Sequence, residues 1–542
     1  MYMKQNNFWI GLALAISLLG SSCTKELEKL NENPNSPSVV DPEYLLNTSI
    51  FNTMNFFGGD MRRRVLSHYS NYVSVGGGQF ERYFYFVSSD NEYWRTAYIQ
   101  CLQPLHQIER NFGDKPAYAN RVAIARILRA YIYSNIVAVW GSIPYQSALS
   151  GENSISYNKE EDIYIELLEE LKTAASAIKP DGDKYISSAD AMYGGSLEGW
   201  KKFANTLRLR LAMRISNPAP NGNPGEAQRV AAEVLADEAN TIMNQSETAN
   251  SNWGSNSLTW SFFYNYNVFN ATNNAASLNV ISESLLQHML PYGDPRVSVY
   301  AKPAAQGPHT GQYWGMPKTT SLPTSFSMPD NPHSGRAPAD YSQVGDYFSK
   351  PNAEFVFLSY EEACFLKAEA ALKGWGGSLT AEQYYNNGIR ASMEKYGIAS
   401  AAINSYLQKD GIKWNTAVDT TGSNGAYTDY LGITTSAVLN VNPMRQITMQ
   451  TWLAGFYNAI DAWTLLRRTQ ELEFPPHFNP DGSEGGTVGY AYIPQRIVYP
   501  DIEYQTNDTE IKKALPWLSG PDAMKTKLWF ALPNKRNPYL PE

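Results

Sequence analysis

Two consecutive helix signatures in the second half of the chain constrain its fold most strongly. Ser359 opens SYEEACFLKAEAALKG, which closes on Gly374, and Thr380 opens TAEQYYNNGIRASMEKYG, which closes on Gly397. In both stretches a Glu or Gln follows the opening hydroxyl residue by three positions, which is the capping-box pattern, and glycine commonly follows a helix end. The short WGGSL segment between them predicts an antiparallel helical hairpin.

Helical spacing of apolar residues continues through much of the rest of the chain. Four further stretches show it: 121–140, 158–178, 199–216 and 443–468. The first is predicted to stop at Gly141, the second to begin with Asn158 as its N-cap, and the last to run unbroken from Asn442 and Pro443. Repeated helix pairs of this length build helical-repeat arrays, and no strict repeat consensus recurs here. The pattern predicts a mainly α fold with degenerate repeats.

A stretch of different composition separates the helical blocks. Apart from a predicted helix at about 227–239, residues from 217 to about 350 are rich in Asn, Ser, Gly, Pro and aromatic side chains. Long segments without periodicity are either disordered or functional, and disordered segments are poor in aromatic residues. We therefore predict an ordered, loop-rich insertion on the helical scaffold, where binding residues tend to lie.

The aromatic content of the chain indicates what such loops could bind. There are 36 Tyr and 13 Trp, against 21 Phe. Tyr and Trp combine an apolar face with a polar edge, and a sugar ring has the matching character, with C–H groups on its faces and hydroxyls around its rim. The predicted ligand-binding residues are Trp253, Trp260, Tyr264, Tyr266, Tyr313 and Trp314 in the insertion, and Tyr83 and Tyr85 in GGGQFERYFYF. The alternative is that most of these rings pack a small core of the insertion itself.

The N-terminus has the pattern of an export signal that ends in a cysteine. Lys4 is followed by the apolar run FWIGLALAISLL (8–19), then Gly20, Ser21, Ser22 and Cys23. A spanning helix needs roughly 20 apolar residues, whereas the apolar region of a signal peptide has roughly 7 to 15. Because the segment ends on a cysteine, it resembles a bacterial lipoprotein signal, and this resemblance implies cleavage before Cys23 and a lipid on its thiol. Two or more acyl chains would hold the protein stably on a membrane.

Other functional classes find little support in the sequence. The net charge is −8 and the basic residues are spread along the chain, which argues against nucleic-acid binding. None of the six histidines is placed with another His or Cys at metal-ligand spacing, and no catalytic motif is present. Cys101 and Cys364 lie on apparently amphipathic helices, where a free thiol behaves as a small buried hydrophobe. No metal, cofactor or catalytic residue is predicted.

Several blocks, taken in order, resemble the SusD/RagB family of surface lipoproteins from Gram-negative glycan-using bacteria. The lipoprotein cysteine and NENPNSP are similar to the family's opening, and VWGSIPY to its Gly-x-x-Pro-Tyr signature. The later blocks are DAMYGGSLEGWKKFANTLRLRLAMRIS, SYEEACFLKAEAALKGWGG, WLAGFYNAIDAWTLLRRT, IPQRIVYPDIEYQTN and KTKLWF. The sequence looks closest to the second SusD-like subgroup.

The resemblance implies a fold and a biological setting. It implies about four tetratricopeptide-like helix pairs forming a superhelix, with a loop-rich ligand-binding insertion. It also implies a non-catalytic lipoprotein on the outer surface of the outer membrane, which captures an oligosaccharide and delivers it to a SusC-like TonB-dependent channel. Arg210, Arg214, Arg467 and Arg468 of the matching blocks are expected to bond carboxylates between helices. The expected organisation is a signal peptide at 1–22, an anchor and tether at 23–42, a helical scaffold at about 43–216 and 351–470, an insertion at about 217–350, and a loop-rich C-terminal segment at 471–542.

Three other functions remain open on the sequence alone. Some members of the SusD/RagB family bind oligopeptides, so the resemblance also allows a peptide ligand. Tyrosine-rich loops suit peptides as well as glycans. A secreted carbohydrate-active enzyme would need two carboxylates across a cleft, which no linear motif reveals. A purely structural lid would close a channel without touching its cargo.

Overall fold

The computed structural model describes residues 39–75, 87–152, 154–265, 268, 279–317, 336–415, 427–428, 434–435, 442–456, 458–472, 474 and 493–533. Over these residues the chain is mainly helical, as predicted. The α-helices in chain order are α1 (Pro42–Asn55), α2 (Ser67–Tyr69), α3 (Val87–Arg95), α4 (Gln103–Phe112), α5 (Ala119–Trp140), α6 (Glu160–Ala177), α7 (Leu197–Arg214), α8 (Pro224–Ala236), α9 (Phe262–Tyr264), α10 (Glu283–Gln287), α11 (Val297–Tyr300), α12 (Tyr360–Leu372), α13 (Ala381–Glu394), α14 (Ser400–Leu407), α15 (Pro443–Ala454), α16 (Ala459–Thr469), α17 (Asp501–Thr506) and α18 (Asp508–Ala514).

The β-structure is short and antiparallel. The strands are β1 (Val73–Val75), β2 (Ile143–Pro144), β3 (Tyr157–Asn158), β4 (Ala249–Asn252), β5 (Asn279–Ile281), β6 (Ala301–Lys302), β7 (Gln343–Val344), β8 (Glu354–Leu358), β9 (Tyr427–Thr428) and β10 (Thr434–Thr435). One four-stranded sheet has the order β1-β5-β7-β6, and the others are the pairs β2-β3, β4-β8 and β9-β10. In the four-stranded sheet Val73 lies opposite Ile281, and Ala301 lies opposite Val344. The sheet therefore joins the N-terminal region to the insertion.

Helices that follow one another in the chain pack together, which confirms the helix-pair architecture. α5 packs on α6, α6 on α7 and α7 on α8, and α12 forms the predicted hairpin with α13. Gly374 and Gly397 end this hairpin's helices with φ of +71° and +73°, a conformation that glycine adopts without steric penalty. Thr380 forms a complete capping box with Gln383. Local capping signals therefore set these helix ends.

The long helix α5 forms the centre of the scaffold. The stretch Pro116–Trp140 is the one helical segment of the described residues that is long and apolar enough to cross a membrane, and 89% of its most apolar window is buried inside the protein. It ends at Gly141, where φ is +88°, as predicted. Its apolar surface is thus used for packing against neighbouring helices.

Two predicted helix boundaries are wrong for identifiable reasons. Asn158 is not the N-cap of α6, because its side chain accepts a hydrogen bond from the Gln146 N–H and its backbone belongs to β3, so the helix starts after Lys159. The helix predicted to run unbroken to residue 468 is divided into α15 and α16 at Gly455. Just beyond that glycine, the Phe456 ring stacks on Tyr300 with centroids 4.5 Å apart.

The prediction about the arginines holds for three of the four. Arg210 bonds Glu362 at 2.6 Å, Arg214 bonds Asp461 at 2.9 Å, and Arg468 bonds the carboxylate of Glu369 through both terminal nitrogens at 2.7 and 2.6 Å. These three ion pairs connect α7, α12 and α16.

The prediction is wrong for Arg467. Its guanidinium donates to the carbonyls of Gln495 and Ala138, at 2.7 and 2.8 Å, and no carboxylate bonds it among the described residues. Burial therefore lowers its pKa to about 9. This side chain links the end of α16 to the end of α5 and to the C-terminal segment.

The two cysteines within the described residues are buried and free. Burial raises the pKa of both thiols to about 12. They behave as small core residues, as the sequence predicts.

Candidate functional site

The first aromatic loop, residues 253–264, contains the predicted residues Trp253, Trp260 and Tyr264 and is held against the scaffold at two glycines. Gly58 and Gly59 lie in a π-helical turn, Phe56–Asp60, that continues α1. A Cβ atom at Gly58 would collide with the ring of Phe355, and one at Gly59 would lie 2.8 Å from Phe262. Only residues without side chains allow the loop and β8 to approach the helix this closely.

Trp253, one of the predicted ligand-binding residues, is part of the core. Its side chain is 2% exposed, and its ring meets Phe355 edge to face with centroids 6.0 Å apart. Its indole N–H donates to the side-chain oxygen of Asn55 at 2.9 Å, and its backbone N–H donates to the Ala353 carbonyl at 3.1 Å. Trp253 therefore fixes the base of the loop. The aromatic residues that follow it in the loop have the more accessible rings.

Trp260 and Tyr264 lie together and are half-buried. Their rings meet edge to face, with centroids 5.1 Å apart and an interplanar angle of 83°. The Trp260 indole N–H donates to the Ser255 carbonyl at 2.9 Å, which orients the ring. Leu258, two residues before Trp260 in the same loop, is 92% exposed. The loop thus presents a preorganised aromatic pair beside an exposed apolar tip.

Tyr313 and Trp314 form the second aromatic position, and both are half-buried. The Trp314 ring stacks on His309, with centroids 3.3 Å apart and an interplanar angle of 12°. Its backbone N–H donates to the Ser342 hydroxyl at 3.0 Å, and its carbonyl accepts from the Ser342 N–H at 2.8 Å. Partial burial raises the pKa of Tyr313 above its usual value, because the phenolate would lose hydration.

One connecting segment, 342–353, anchors both aromatic positions. Ser342 bonds Trp314 at one end of the segment, while the Pro351 carbonyl accepts from the Ser261 N–H at 2.8 Å near the other. At most about 30 Å of extended chain separates these two anchors. The structure therefore brings the two predicted loops onto a shared support, although they lie far apart in the sequence.

Four of the predicted residues lie outside the described residues: Cys23, Tyr83, Tyr85 and Tyr266. Their roles stay predictions. Among the described residues no group of three or more His, Cys, Asp or Glu side chains could hold a metal ion.

The structure also contains a pocket that the sequence does not predict. We call it the scaffold pocket; it has a volume of about 90 Å³ and lies among α7, β8, α12, α13, α15 and α16. Part of its wall comes from Tyr347, Phe348 and Ala353, which belong to the segment that supports the aromatic loops. No sequence motif predicts this pocket, because its wall is assembled from widely separated segments. The acidic pair Glu361–Glu362 at the start of α12 is the sequence feature that comes closest to indicating it.

Ion pairs dominate the polar part of the scaffold pocket. Lys395 donates to Glu361 at 2.8 Å, and Arg210 lies between Glu362, at 2.6 Å, and Asp461, at 3.2 Å. Burial alone would lower the pKa of Lys395, but the adjacent Glu361 carboxylate outweighs it and raises the pKa well above its usual value. Lys395 therefore stays charged, and the pairs fix the helices that surround the pocket.

Comparisons with known proteins place this arrangement in a family. The model of the SusD-like_2 family, described as "Starch-binding associating with outer membrane", matches residues 34–500. No curated protein matches the sequence significantly.

Solved structures share the fold at low sequence identity. A chitin-binding SusD homolog from Flavobacterium johnsoniae has a TM-score of 0.73 at 22% identity, covering 91% of this chain and 100% of its own. SusD homologs from Bacteroides uniformis and Parabacteroides distasonis have TM-scores of 0.71 and 0.73 at 22% and 21% identity. The first covers 90% of this chain and 99% of its own, and the second covers 91% and 98%.

Proposed function

Because the chain belongs to the SusD-like family, we propose that it is a non-catalytic lipoprotein of the outer membrane that binds oligosaccharides and delivers them to a SusC-like TonB-dependent channel. The family's description as starch-binding and outer-membrane-associated supports the ligand class and the location. The chitin-binding relative from Flavobacterium johnsoniae supports a glycan ligand on this fold. Lipidation of Cys23 would hold the protein at the cell surface.

The observation that carries the proposal is the pair of half-buried aromatic positions on one support. Trp260 with Tyr264, and Trp314 with Tyr313, offer ring surface next to polar edges, as sugar recognition requires. The hydrogen bond from the Trp260 indole N–H to Ser255 and the stacking of the Trp314 ring on His309 hold both indoles before a ligand arrives. Rings fixed in this way lose little freedom on binding, which favours affinity.

The size of each contribution follows from the surface covered. If a sugar face covers about 60 Å² of an indole, roughly a third of a tryptophan side chain, burial at about 25 cal/mol per Å² contributes about 1.5 kcal/mol. A loss of about 1.4 kcal/mol corresponds to a tenfold weaker Kd. We therefore expect Trp260→Ala and Trp314→Ala each to weaken oligosaccharide binding by about tenfold.

The experiment is a calorimetric titration of each variant with the glycan that the wild-type chain binds. The matched control is Trp517→Ala, because Trp517 is a solvent-accessible tryptophan, 40% exposed, that lies in the C-terminal segment. Circular dichroism confirms that each variant is folded. Wild-type affinity in both loop variants would place the glycan site elsewhere on the molecule.

A further inference from the structure

The scaffold pocket contains two buried acceptor atoms that no neighbouring group satisfies. Among the described residues, neither Oε2 of Glu361 nor Oδ1 of Asn458 has a hydrogen-bond partner. Both residues line the pocket, and Glu361 is only 1% exposed. Buried polar atoms are nearly always hydrogen-bonded, and leaving one unpaired is unfavourable. The two atoms therefore call for a donor inside the pocket.

A chain of contacts runs along one wall of the pocket between the two acceptor residues. Glu361 adjoins Glu362, which bonds Arg210, and Arg210 lies 3.2 Å from Asp461. Asp461 in turn accepts from the side-chain N–H of Asn458 at 2.8 Å. The other carboxylate oxygen of Glu361 accepts from Lys395, and the side-chain nitrogen of Asn458 donates to Asp461. These bonds hold both acceptor residues in place. The acceptors are fixed rather than free to reorient.

The charge on the wall argues for a neutral donor. Four cationic side chains line the pocket, and four carboxylates line it as well: Arg210, Arg214, Lys395 and Arg468, against Glu354, Glu361, Glu362 and Asp461. An ammonium or metal ion entering this balanced wall would lose its hydration without gaining a counter-charge. A hydroxyl group donates a hydrogen bond without disturbing the balance.

The remaining wall fits the carbon skeleton of such a molecule. The rings of Tyr347 and Tyr396 meet edge to face with centroids 4.9 Å apart, and Val356 and Leu465 add aliphatic surface. Tyr347, Val356 and Leu465 are half-buried, so the pocket has an accessible side. Aromatic and aliphatic surface around a few fixed acceptors is the composition of a small-molecule site.

We propose that the scaffold pocket is a second binding site, separate from the aromatic loops, for a small neutral polyol or for the hydroxyl-bearing end unit of a saccharide. Hydroxyl groups donate to Oε2 of Glu361 and to Oδ1 of Asn458, and the C–H surface packs against Tyr347. The site goes beyond the proposed function, because it requires neither the loop aromatics nor the lipid anchor.

The test is ligand-observed NMR titration of the purified chain with glycerol and with glucose. We expect saturable binding of at least one of them with a Kd of about 1–10 mM. Ala454→Leu, which fills the pocket from α15, is expected to weaken this binding at least about tenfold. Ala371→Leu is the matched control, because Ala371 is a half-buried helical alanine outside the pocket wall.

A second variant keeps the test decisive if Ala454→Leu does not fold. Asn458→Leu is similar in size and removes one of the two acceptors, and it is expected to weaken binding at least about threefold. No saturation by either probe up to about 100 mM, or equal binding by wild type and the pocket variants, would overturn the proposal and leave a water-filled cavity. Trp260→Ala should leave glycerol binding unchanged, because glycerol has no sugar ring to cover an indole, so failure here is distinguishable from failure of the glycan proposal.

Discussion

The carboxyl group of Glu160 gives a sharp prediction about stability and pH. Its side chain is 6% exposed at the start of α6, where one oxygen accepts from the Trp529 N–H at 2.9 Å. The other oxygen, Oε1, has no hydrogen-bond partner among the described residues. Burial raises the pKa of this group from 4.5 to about 7, against smaller opposing effects of the Trp529 and Phe530 N–H groups and of Arg467.

The sign follows from the direction of this shift. The folded protein holds the proton more tightly than the unfolded chain, so ionisation disfavours the folded state. Below the unfolded pKa of 4.5, ionisation of Glu160 does not lower the free energy of unfolding. The loss of unfolding free energy grows as the pH rises from 4.5 to about 7 and is constant above that. A shift of this size corresponds to about 3 kcal/mol of unfolding free energy at pH 8.

Glu160→Gln removes the ionisation and keeps a carbonyl oxygen that can accept from Trp529. We expect the variant to match wild type at pH 4 and to be more stable by up to about 3 kcal/mol at pH 8. Urea unfolding of both proteins across this range measures the difference. Glu152→Gln, which changes an exposed carboxylate, is the control and should show no such trend. A stability difference between Glu160→Gln and wild type that does not change with pH would refute the reasoning.

Two further predictions concern the loop support and the anchor. Gly58→Ala should destabilise the protein by about 1–3 kcal/mol and weaken glycan binding, because its Cβ collides with the Phe355 ring. Gly225→Ala in the first turn of α8, where the nearest atom is 3.8 Å away, should be neutral or mildly stabilising in the same unfolding assay. Cys23→Ala should move the protein from the membrane fraction to the soluble fraction; membrane retention without an acyl label would contradict the lipoprotein proposal.

Local signals in the sequence predict much of the helical scaffold. The caps at Ser359, Thr380 and Asn442 and the glycine at 141 act within a few residues of their own position, so they are legible in the sequence. Asn158 shows the limit of this approach. Its side chain is used by Gln146 across the β2-β3 ribbon, and that competing partner depends on tertiary structure.

The candidate site is less predictable, because burial there depends on distant partners. Trp253 and Trp260 are similar in the sequence, but Trp253 is enclosed by Phe355 and Asn55 and belongs to the core. Trp260 is half-buried, and it contacts Ser255 and Tyr264 of its own loop. No periodicity in a loop distinguishes these two environments.

The scaffold pocket could not be predicted for a related reason. The contacts between Arg210 and Glu362, and between Arg210 and Asp461, join residues far apart in the chain. The sequence indicates that such arginines meet carboxylates, but not which ones, nor that a cavity remains between them. Arg467 shows the same limit, since backbone carbonyls take the place of the expected carboxylate.

The most direct test of the proposed function is a calorimetric titration of the purified chain with panels of starch-type oligosaccharides, chitin-type oligosaccharides and short peptides. The proposal predicts saturable heat with one class of glycan and none with the peptides. Saturable heat with peptides alone, or no saturable heat with any glycan, would contradict it.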